Sequence, residues 1–256
     1  MPVLRQHRNI LIKAISICAG LLAWQLLGMS MKDVAMMPTP SIVIVALTNL
    51  FVTGEIWKHI YASMSVFLFG MVLATIVGVL LGFLWAHSSF MENYIQPWIT
   101  FFFSVPRIAF VPLLVLSFGI NDFTRSLVVF LGAVFQILYN TYFGIKGVDQ
   151  EAIETAVAFN ATKVQIFRYI TVPAALPFLL TGLRLGVARG LMGIAVAEWF
   201  GARAGLGFFV YFSGQTFNTP NYFAGIVIFA ILSIILDESI RLAEVKFTPW
   251  GETGEI

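Results

Sequence analysis

The chain has 256 residues, of which 59% are hydrophobic and only 11% are charged. A soluble domain contains about 25% charged residues, and few soluble folds of this length could bury so much apolar surface. The composition therefore excludes an ordinary water-soluble enzyme, a disordered chain and, with Cys18 as the single cysteine, a disulfide scaffold. A net charge of +2 is too small a bias to indicate nucleic-acid binding. We expect an all-α integral membrane protein with several spans.

Six apolar stretches are candidate membrane spans. In chain order they cover residues 14–29, 63–86, 98–118, 126–144, 178–200 and 222–236. A cleaved signal peptide is the alternative interpretation of the first, but no small-x-small site follows it, so a retained anchor is preferred. The organisation expected is an anchor helix and external loop over 1–62, a core of spans over 63–244 with a polar loop at 147–173, and a tail over 245–256. Within the external loop, residues 42–52 are expected to form a short helix stopped by Gly54.

The placement of lysine and arginine sets the orientation. With the N-terminus inside, the inner segments contain Arg5, Arg8, Lys13, Lys146, Lys163, Arg168, Arg241 and Lys246. The outer segments then contain Lys32, Lys58, Arg125 and Arg203. This excess of basic residues on the inner side predicts that both termini are cytoplasmic.

Small residues recur every four positions in two of the spans. They are Gly70, Ala74, Gly78 and Gly82 in the second span, and Gly182, Gly186 and Gly190 in the fifth. Such a row gives a helix one small face, which lets two backbones approach closely in lipid. A bundle packed around a path and generic membrane packing explain the rows equally well.

The polar segment between the fourth and fifth spans has the signals of a helical hairpin. Asp149 can cap a first helix, and Asn160 tolerates the left-handed conformation that ends one. Thr162 and Gln165 form a capping box for a second helix.

Two prolines, Pro173 and Pro177, are expected to end that second helix and to hold Val172 and Leu176 extended. The hairpin then projects on the cytoplasmic side. It suits insertion into a partner's groove, and a loop that rests on the bilayer surface is the alternative.

The spacing of residues in this hairpin fits a known pattern. Glu154-Thr155-Ala156 is followed by three residues and Asn160, then by nine residues and Ile170-Thr171-Val172-Pro173. This segment resembles the EAA loop of bacterial ABC importer permeases, whose pattern is E-A-A, three residues, G, nine residues, I-x-L-P. Thr155 replaces the middle Ala and Asn160 replaces the Gly, although Asn can supply the same left-handed turn.

Further short motifs extend the resemblance over about residues 57–242, most strongly to the nitrate, sulfonate and taurine branch. They are Pro106-Arg107, Pro112-Leu113, Phe118-Gly119, Pro173 to Pro177, Thr181 to Arg184, Ala197-Glu198 and Gly205 to Gly207. The resemblance implies a type I ABC importer permease with about six transmembrane helices, in the bacterial inner membrane. Such a permease moves a small, here anionic, solute from an extracytoplasmic binding protein into the cytoplasm.

The resemblance also implies partners and site residues. The partners are a cytoplasmic ABC ATPase dimer, the binding protein, a second permease copy in a homodimer, and membrane lipid. No phosphate-binding G-x-x-x-x-G-K-[ST] motif occurs in the chain, so ATP hydrolysis is assigned to a separate subunit and the chain is not expected to be an enzyme. The residues expected to couple to the ATPase are Glu151, Glu154, Thr155, Ala156, Asn160, Ala161 and Thr162.

Polar residues at membrane depth are costly and are candidates for a translocation path. Arg107 and Arg189 suit an anionic solute because a guanidinium binds planar anions well, and Glu198 lies near the outer end of the fifth span. A buried pair with a carboxylate, or snorkelling to the headgroups, is the alternative for the arginines. Gln136 and Asn140 share one face of the fourth span and either line a path or bond across helices.

Two other classes of function compete with the permease. A secondary transporter or channel subunit without an ATPase predicts inverted repeats, and no convincing internal repeat is visible. An intramembrane enzyme needs acid–base groups at one depth, and the chain offers little besides Glu198. His7, His59 and His87 are scattered, which argues against a metal site. The sequence leaves the identity of the solute open.

Overall fold

A computed structural model describes residues 2–30 and 37–248, with side chains in the first helix from residue 11 onwards. Within these ranges every secondary-structure element is helical, as expected. The helices are α1 (Pro2–Ser30), α2 (Pro40–Val52), α3 (Glu55–His87), α4 (Ser89–Ser104), α5 (Val111–Phe118), α6 (Asp122–Lys146), α7 (Gln150–Ala158), α8 (Lys163–Ile166), α9 (Val172–Ala197), α10 (Leu206–Gln215) and α11 (Thr219–Phe247). A 3₁₀ turn (Arg107–Phe110) precedes α5, and a π-helical segment (Phe167–Thr171) joins α8 to α9. Three parts of the predictions lie outside the described residues: Lys32, the side chains of Arg5 and Arg8, and residues 249–256 of the predicted tail.

The expectation of about six membrane spans is confirmed, with one correction. Five helices are long and apolar enough to cross a membrane: the Leu11–Ser30 part of α1, α3, α6, the continuous Lys163–Ala197 helix and α11. The sixth candidate is a pair, Ser89–Ser104 and Arg107–Phe118, bent by 84°. The predicted span over residues 98–118 is therefore broken. Pro106 explains the break, since proline disfavours a helical conformation in the residue before it, and Val105 is extended with ψ of 134°.

The expectation that Pro173 and Pro177 end the second hairpin helix is wrong. Val172 is helical, with φ −63° and ψ −49°, and Leu176 lies inside α9. Pro173 occupies the first turn of α9, where the missing proline N–H is tolerated. The wider π-helical turn lies just before it, and such turns accommodate local strain inside a longer helix.

Helix α6 occupies the centre of the bundle, between α3 and α9. A Cβ built on Gly70 of α3 would lie 2.7 Å from the Val129 Cβ, and one built on Gly82 would lie 2.6 Å from the Thr141 Cβ. The small residues thus bring α3 and α6 together as parallel helices. Helix α9 packs antiparallel on the other side of α6, where a Cβ on Gly182 would lie 2.8 Å from the Asn140 Cβ.

The hairpin α7–α8 defines one end of this bundle. The Phe83 ring near the end of α3 meets the Phe167 ring at 5.4 Å between centroids. The second half of α11 reaches towards the same end, since Arg184 of α9 forms ion pairs with Asp237 at 2.9 Å and Glu244 at 3.6 Å. The first residues of α3, α6 and α11 lie at the opposite end.

Helices α1 and α2 lie at the periphery. The Trp24 indole of α1 donates a hydrogen bond to the Pro38 carbonyl at 3.1 Å, while most of α1 is exposed. Helix α2 is the short helix expected over residues 42–52, and Gly54 follows it with a left-handed φ of 77°. Its buried side chains pack against α3 and α11.

Candidate functional site

The hairpin begins with a capped helix that is directly joined to α6. The Asp149 carboxylate accepts a hydrogen bond from the Glu151 amide at 3.0 Å and so caps α7, as predicted. Val148, immediately before the cap, is buried and anchors the start of the hairpin on the bundle. Glu151 and Glu154 then face solvent along α7.

The turn of the hairpin depends on Asn160. This residue has φ of 56°, so the predicted left-handed conformation is confirmed. The Asn160 amide donates to the Val157 carbonyl, and the Ala161 amide donates to the Ala156 carbonyl, both at 2.9 Å. This pair of hydrogen bonds is a Schellman motif, which satisfies carbonyls that the end of α7 would otherwise leave unpaired.

The second helix starts with the predicted capping box. The Thr162 amide donates to the Gln165 side-chain oxygen at 2.8 Å, and the Gln165 amide donates to the Thr162 hydroxyl at 3.3 Å. Side-chain and backbone hydrogen bonds therefore fix both ends of the turn. All seven expected coupling residues lie on the hairpin at exposed or half-exposed positions: Glu151, Glu154, Thr155, Ala156, Asn160, Ala161 and Thr162.

A groove of about 300 Å³ runs between the two hairpin helices. Ala156, Asn160 and Ala161 line one part of it, with Tyr169 on α8's continuation. Phe159 also lines the groove and exposes 82% of its surface. An exposed aromatic side chain in a surface groove is suited to docking against a partner protein.

A row of polar and small residues follows one flank of α6. Gly132, Gln136 and Asn140 are spaced by four residues, and the Asn140 side-chain Nδ2 donates to the Gln136 backbone carbonyl at 2.8 Å. Gln136 and Asn140 are half-buried beside Gly182 of α9. The structure thus places both predicted path residues at the α6–α9 contact.

Arg107 and Arg189 both lie beside Gly132, the first residue of this row. The Arg107 Nη1 donates to the Gly132 carbonyl at 3.4 Å, and its guanidinium carbon lies 5.2 Å and 5.4 Å from the ring centroids of Phe103 and Phe135. The Arg189 carbonyl oxygen would lie 2.8 Å from a Cβ on Gly132. Sequence reasoning missed the two phenylalanines, because aromatic residues are common throughout the chain and carry no local signal.

Glu198 lies apart from the arginines of this row. Its carboxylate is fully buried and accepts hydrogen bonds from the Ser63 hydroxyl at 2.7 Å and the Gly207 amide at 2.6 Å. Gly207 is in the first turn of α10, so Glu198 caps that helix and interacts favourably with its dipole. Ser63 in turn accepts from the Leu206 amide at 2.7 Å. Sequence reasoning missed Ser63, because it is 135 residues from Glu198 along the chain.

The fold and the hairpin define a class of protein: a helical membrane transport subunit with a projecting helix–turn–helix segment. The family described as binding-protein-dependent transport system inner membrane component matches residues 74–247, and the chain belongs to this family. Membership confirms the ABC importer permease class over a secondary transporter or channel. It also implies an ATPase and a binding protein as partners, and a location in the inner membrane.

Similar proteins include the putative aliphatic sulfonates transport permease SsuC of Bacillus subtilis, which is 32% identical over 91% of this chain and 84% of its own. The taurine transport system permease TauC of Escherichia coli is 29% identical over 91% of this chain and 86% of its own. Both belong to the branch that the sequence motifs indicate.

Among solved structures, the MetNI methionine ABC transporter in its inward facing conformations matches with a TM-score of 0.60. The match covers 79% of this chain and 98% of the other, at 22% identity. This similarity shows a shared fold, that of a type I ABC importer permease.

Proposed function

We propose that this permease imports a small organic anion of the sulfonate type, and that the α7–α8 hairpin transmits the movement of a cytoplasmic ABC ATPase dimer to the spans. The observation that carries the proposal is the hairpin itself, an exposed helical pair with a defined turn that continues directly into two spans. The named substrates of SsuC and TauC support the sulfonate class. The excess of lysine and arginine on the hairpin side supports cytoplasmic termini.

Within the hairpin, the proposed roles differ by position. Glu151, Glu154 and Thr155 present polar groups on the exposed surface of α7. Ala156 and Asn160, with Ala161 and Thr162, set the turn that holds the two helices together. The first group would contact the ATPase, and the second would keep the hairpin rigid enough to transmit force.

A second copy of the chain would complete the path. Arg189 is exposed, and Gln136 and Asn140 are half-buried, at the surface of a single chain. Polar groups at membrane depth face protein or water rather than lipid, so a second subunit against this flank would enclose them. We therefore propose a homodimer with lipid around its outer surface, where the binding protein delivers solute at the end opposite the hairpin.

The test of coupling is a charge reversal on the hairpin. Glu154→Lys should abolish both ATP-driven uptake of ethanesulfonate in proteoliposomes and co-purification of the ATPase subunit, because it reverses the charge of the docking surface. Glu238→Lys on α11 is the matched control, since Glu238 is also partly exposed but lies outside the hairpin. Uptake and ATPase capture at the level of the unmodified protein in Glu154→Lys would reject the coupling role.

Orientation is tested separately by labelling. Glu154→Cys in a Cys18→Ser background would carry one reactive thiol on the hairpin. A membrane-impermeant maleimide should label it in inside-out vesicles and leave it unlabelled in intact spheroplasts. The reverse pattern would place the hairpin outside and overturn the whole proposal.

A further inference from the structure

Among the described side chains, two arginines well inside the spans, Arg107 and Arg189, have no carboxylate partner; Arg168 and Arg203 also form no ion pair, but they lie near or beyond the ends of the Lys163–Ala197 helix. Arg125, Arg184 and Arg241 each form an ion pair with a nearby carboxylate. Arg107 and Arg189 form none with any carboxylate in residues 11–30 and 37–248, where side chains are described. An arginine at membrane depth without a counter-charge is costly, and such residues generally face a cavity or a ligand.

Arg107 and Arg189 both lie beside Gly132 of α6. The Arg107 guanidinium donates to the Gly132 carbonyl, and the Arg189 backbone oxygen would lie 2.8 Å from a Cβ on Gly132. Gly132 is ten residues from the start of α6, which corresponds to about 15 Å along the helix. Two positive side chains anchored beside the same residue attract an anion to that place.

The surroundings of Arg107 hold its guanidinium without neutralising it. The faces of Phe103 and Phe135 flank the cation, and one Nη group bonds to the Gly132 carbonyl. Aromatic rings and a carbonyl orient a guanidinium while its net charge remains. The remaining N–H groups of the fork are then available to an oxyanion, which guanidinium groups bind through paired hydrogen bonds.

We propose that Arg107 and Arg189 form an intramembrane binding site for a single oxyanion group, with the half-buried Gln136 beside it. The chemistry fits the sulfonate of a transported solute and equally the phosphate of a lipid headgroup. The assignment to a solute rests on the proposed function above, whereas the anion site itself does not depend on ATPase coupling.

The experiment uses the full chain in nanodiscs of phosphatidylcholine containing a minority of phosphatidylglycerol. Binding of radiolabelled ethanesulfonate is measured by equilibrium dialysis at low ionic strength, with uncharged ethyl methyl sulfone as the non-binding analogue. Retained phosphatidylglycerol per protein is measured by mass spectrometry. ATPase-subunit capture on the same samples reports an intact hairpin and fold.

Arg107→Gln and Arg189→Gln should each raise the dissociation constant for ethanesulfonate by about tenfold or more, the effect of losing a charged hydrogen-bond donor. The lysine variants should retain most of the binding, because they keep the charge, and Arg241→Gln should change nothing. A loss of ethanesulfonate binding assigns the site to the solute, and a loss of retained phosphatidylglycerol in its place assigns it to lipid.

The anion site would be overturned if both glutamine variants capture the ATPase normally and bind as much ethanesulfonate and retain as much phosphatidylglycerol as the unmodified chain. That result would leave the proposed coupling intact. If the unmodified chain fails to capture the ATPase subunit, the proposed coupling is wrong. The anion site is then judged from ethanesulfonate binding and retained phosphatidylglycerol alone. If the glutamine variants fail to fold, the lysine variants decide: loss of both ligands by folded Arg107→Lys and Arg189→Lys would count against charge as the basis of the site.

Discussion

The turn at Asn160 offers the sharpest test of how local backbone geometry supports the hairpin. Asn160 is exposed and has a left-handed φ of 56°. We expect Asn160→Val to open the turn, because a branched Cβ clashes with the backbone in this conformation. The cost of the left-handed region for a residue with a Cβ is about 1–2 kcal/mol, and asparagine is among the residues that bear it best. A change of that size shifts the opening equilibrium by a factor of about 5–30.

Hydrogen–deuterium exchange of the whole chain measures this opening directly. The reporters are the amides of residues 160 and 161, which donate the two hydrogen bonds of the Schellman motif. In Asn160→Val both amides should exchange about 5–30 times faster than in the unmodified protein. In Asn160→Gly the exchange should change by less than about threefold, because glycine removes the steric cost but adds freedom to the opened chain.

Thr155→Val is the matched control, since it introduces the same branched side chain at an exposed helical position of the same hairpin. It should leave both amides within about twofold of the unmodified protein, because helical propensities of threonine and valine are similar. Unchanged exchange in Asn160→Val, or equal acceleration in Thr155→Val, would refute the conformational explanation of the turn.

Two further predictions concern the packing of the spans. Gly70→Ala should lower the free energy of unfolding in detergent by about 1–3 kcal/mol, because its Cβ would lie 2.6 Å from a backbone oxygen of α6. Gly20→Ala has open space around its Cβ and should leave this free energy unchanged or raise it by up to about 1 kcal/mol in the same thermal denaturation assay, since alanine is the better helix former. Glu198→Ala should cost about 2–5 kcal/mol, since it leaves buried donors such as the Gly207 amide without an acceptor. Glu238→Ala on the half-exposed surface should cost less than about 0.5 kcal/mol, and equal effects at the two glutamates would contradict the capping role of Glu198.

The hairpin could be predicted in detail because its determinants are local in sequence. Asp149 caps a helix through an amide two residues away, and Thr162 and Gln165 bond to one another across three residues. The left-handed turn depends on Asn160 and on carbonyls within the preceding helix turn. Spans are predictable for a related reason, since their apolar length is set by the membrane and not by particular contacts.

The features that sequence reasoning missed depend on context. Two prolines have opposite effects. Pro106 lies in a break between two helices, whereas Pro173 lies in the first turn of α9, just after a π-helical turn. The sequence contains no local signal that separates these cases. The partners of Glu198 and the aromatic rings around Arg107 are likewise set by tertiary packing, because Ser63 is 135 residues from Glu198 and Phe135 is on a different helix from Arg107.

Helices α6 and α9 support the hairpin and also contain Gln136, Asn140 and Arg189 of the proposed path. Helix α6 leads into α7 through three residues, and α8 continues through the π-helical segment into α9. At the hairpin end the pair is tightly packed, since a Cβ on Gly144 would lie 2.8 Å from the Phe178 Cβ. A force on the hairpin should therefore move α6 and α9 as one body.

Arg107 lies beyond the break at Pro106, in a segment that is bent by 84° from the helix before it. We expect ATP binding by the complete importer to change the distance between the Arg107 segment and α9, while the distance between α6 and α9 stays fixed. Spin labels at Ala109 and Leu185 report the first distance, and labels at Phe143 and Leu185 report the second; all three positions are exposed. In a Cys18→Ser background, double electron–electron resonance should show a shift on ATP binding only for the first pair. A shift for the Phe143–Leu185 pair would mean that the hairpin separates its two supporting helices, and the site at Gly132 would then open by a different movement.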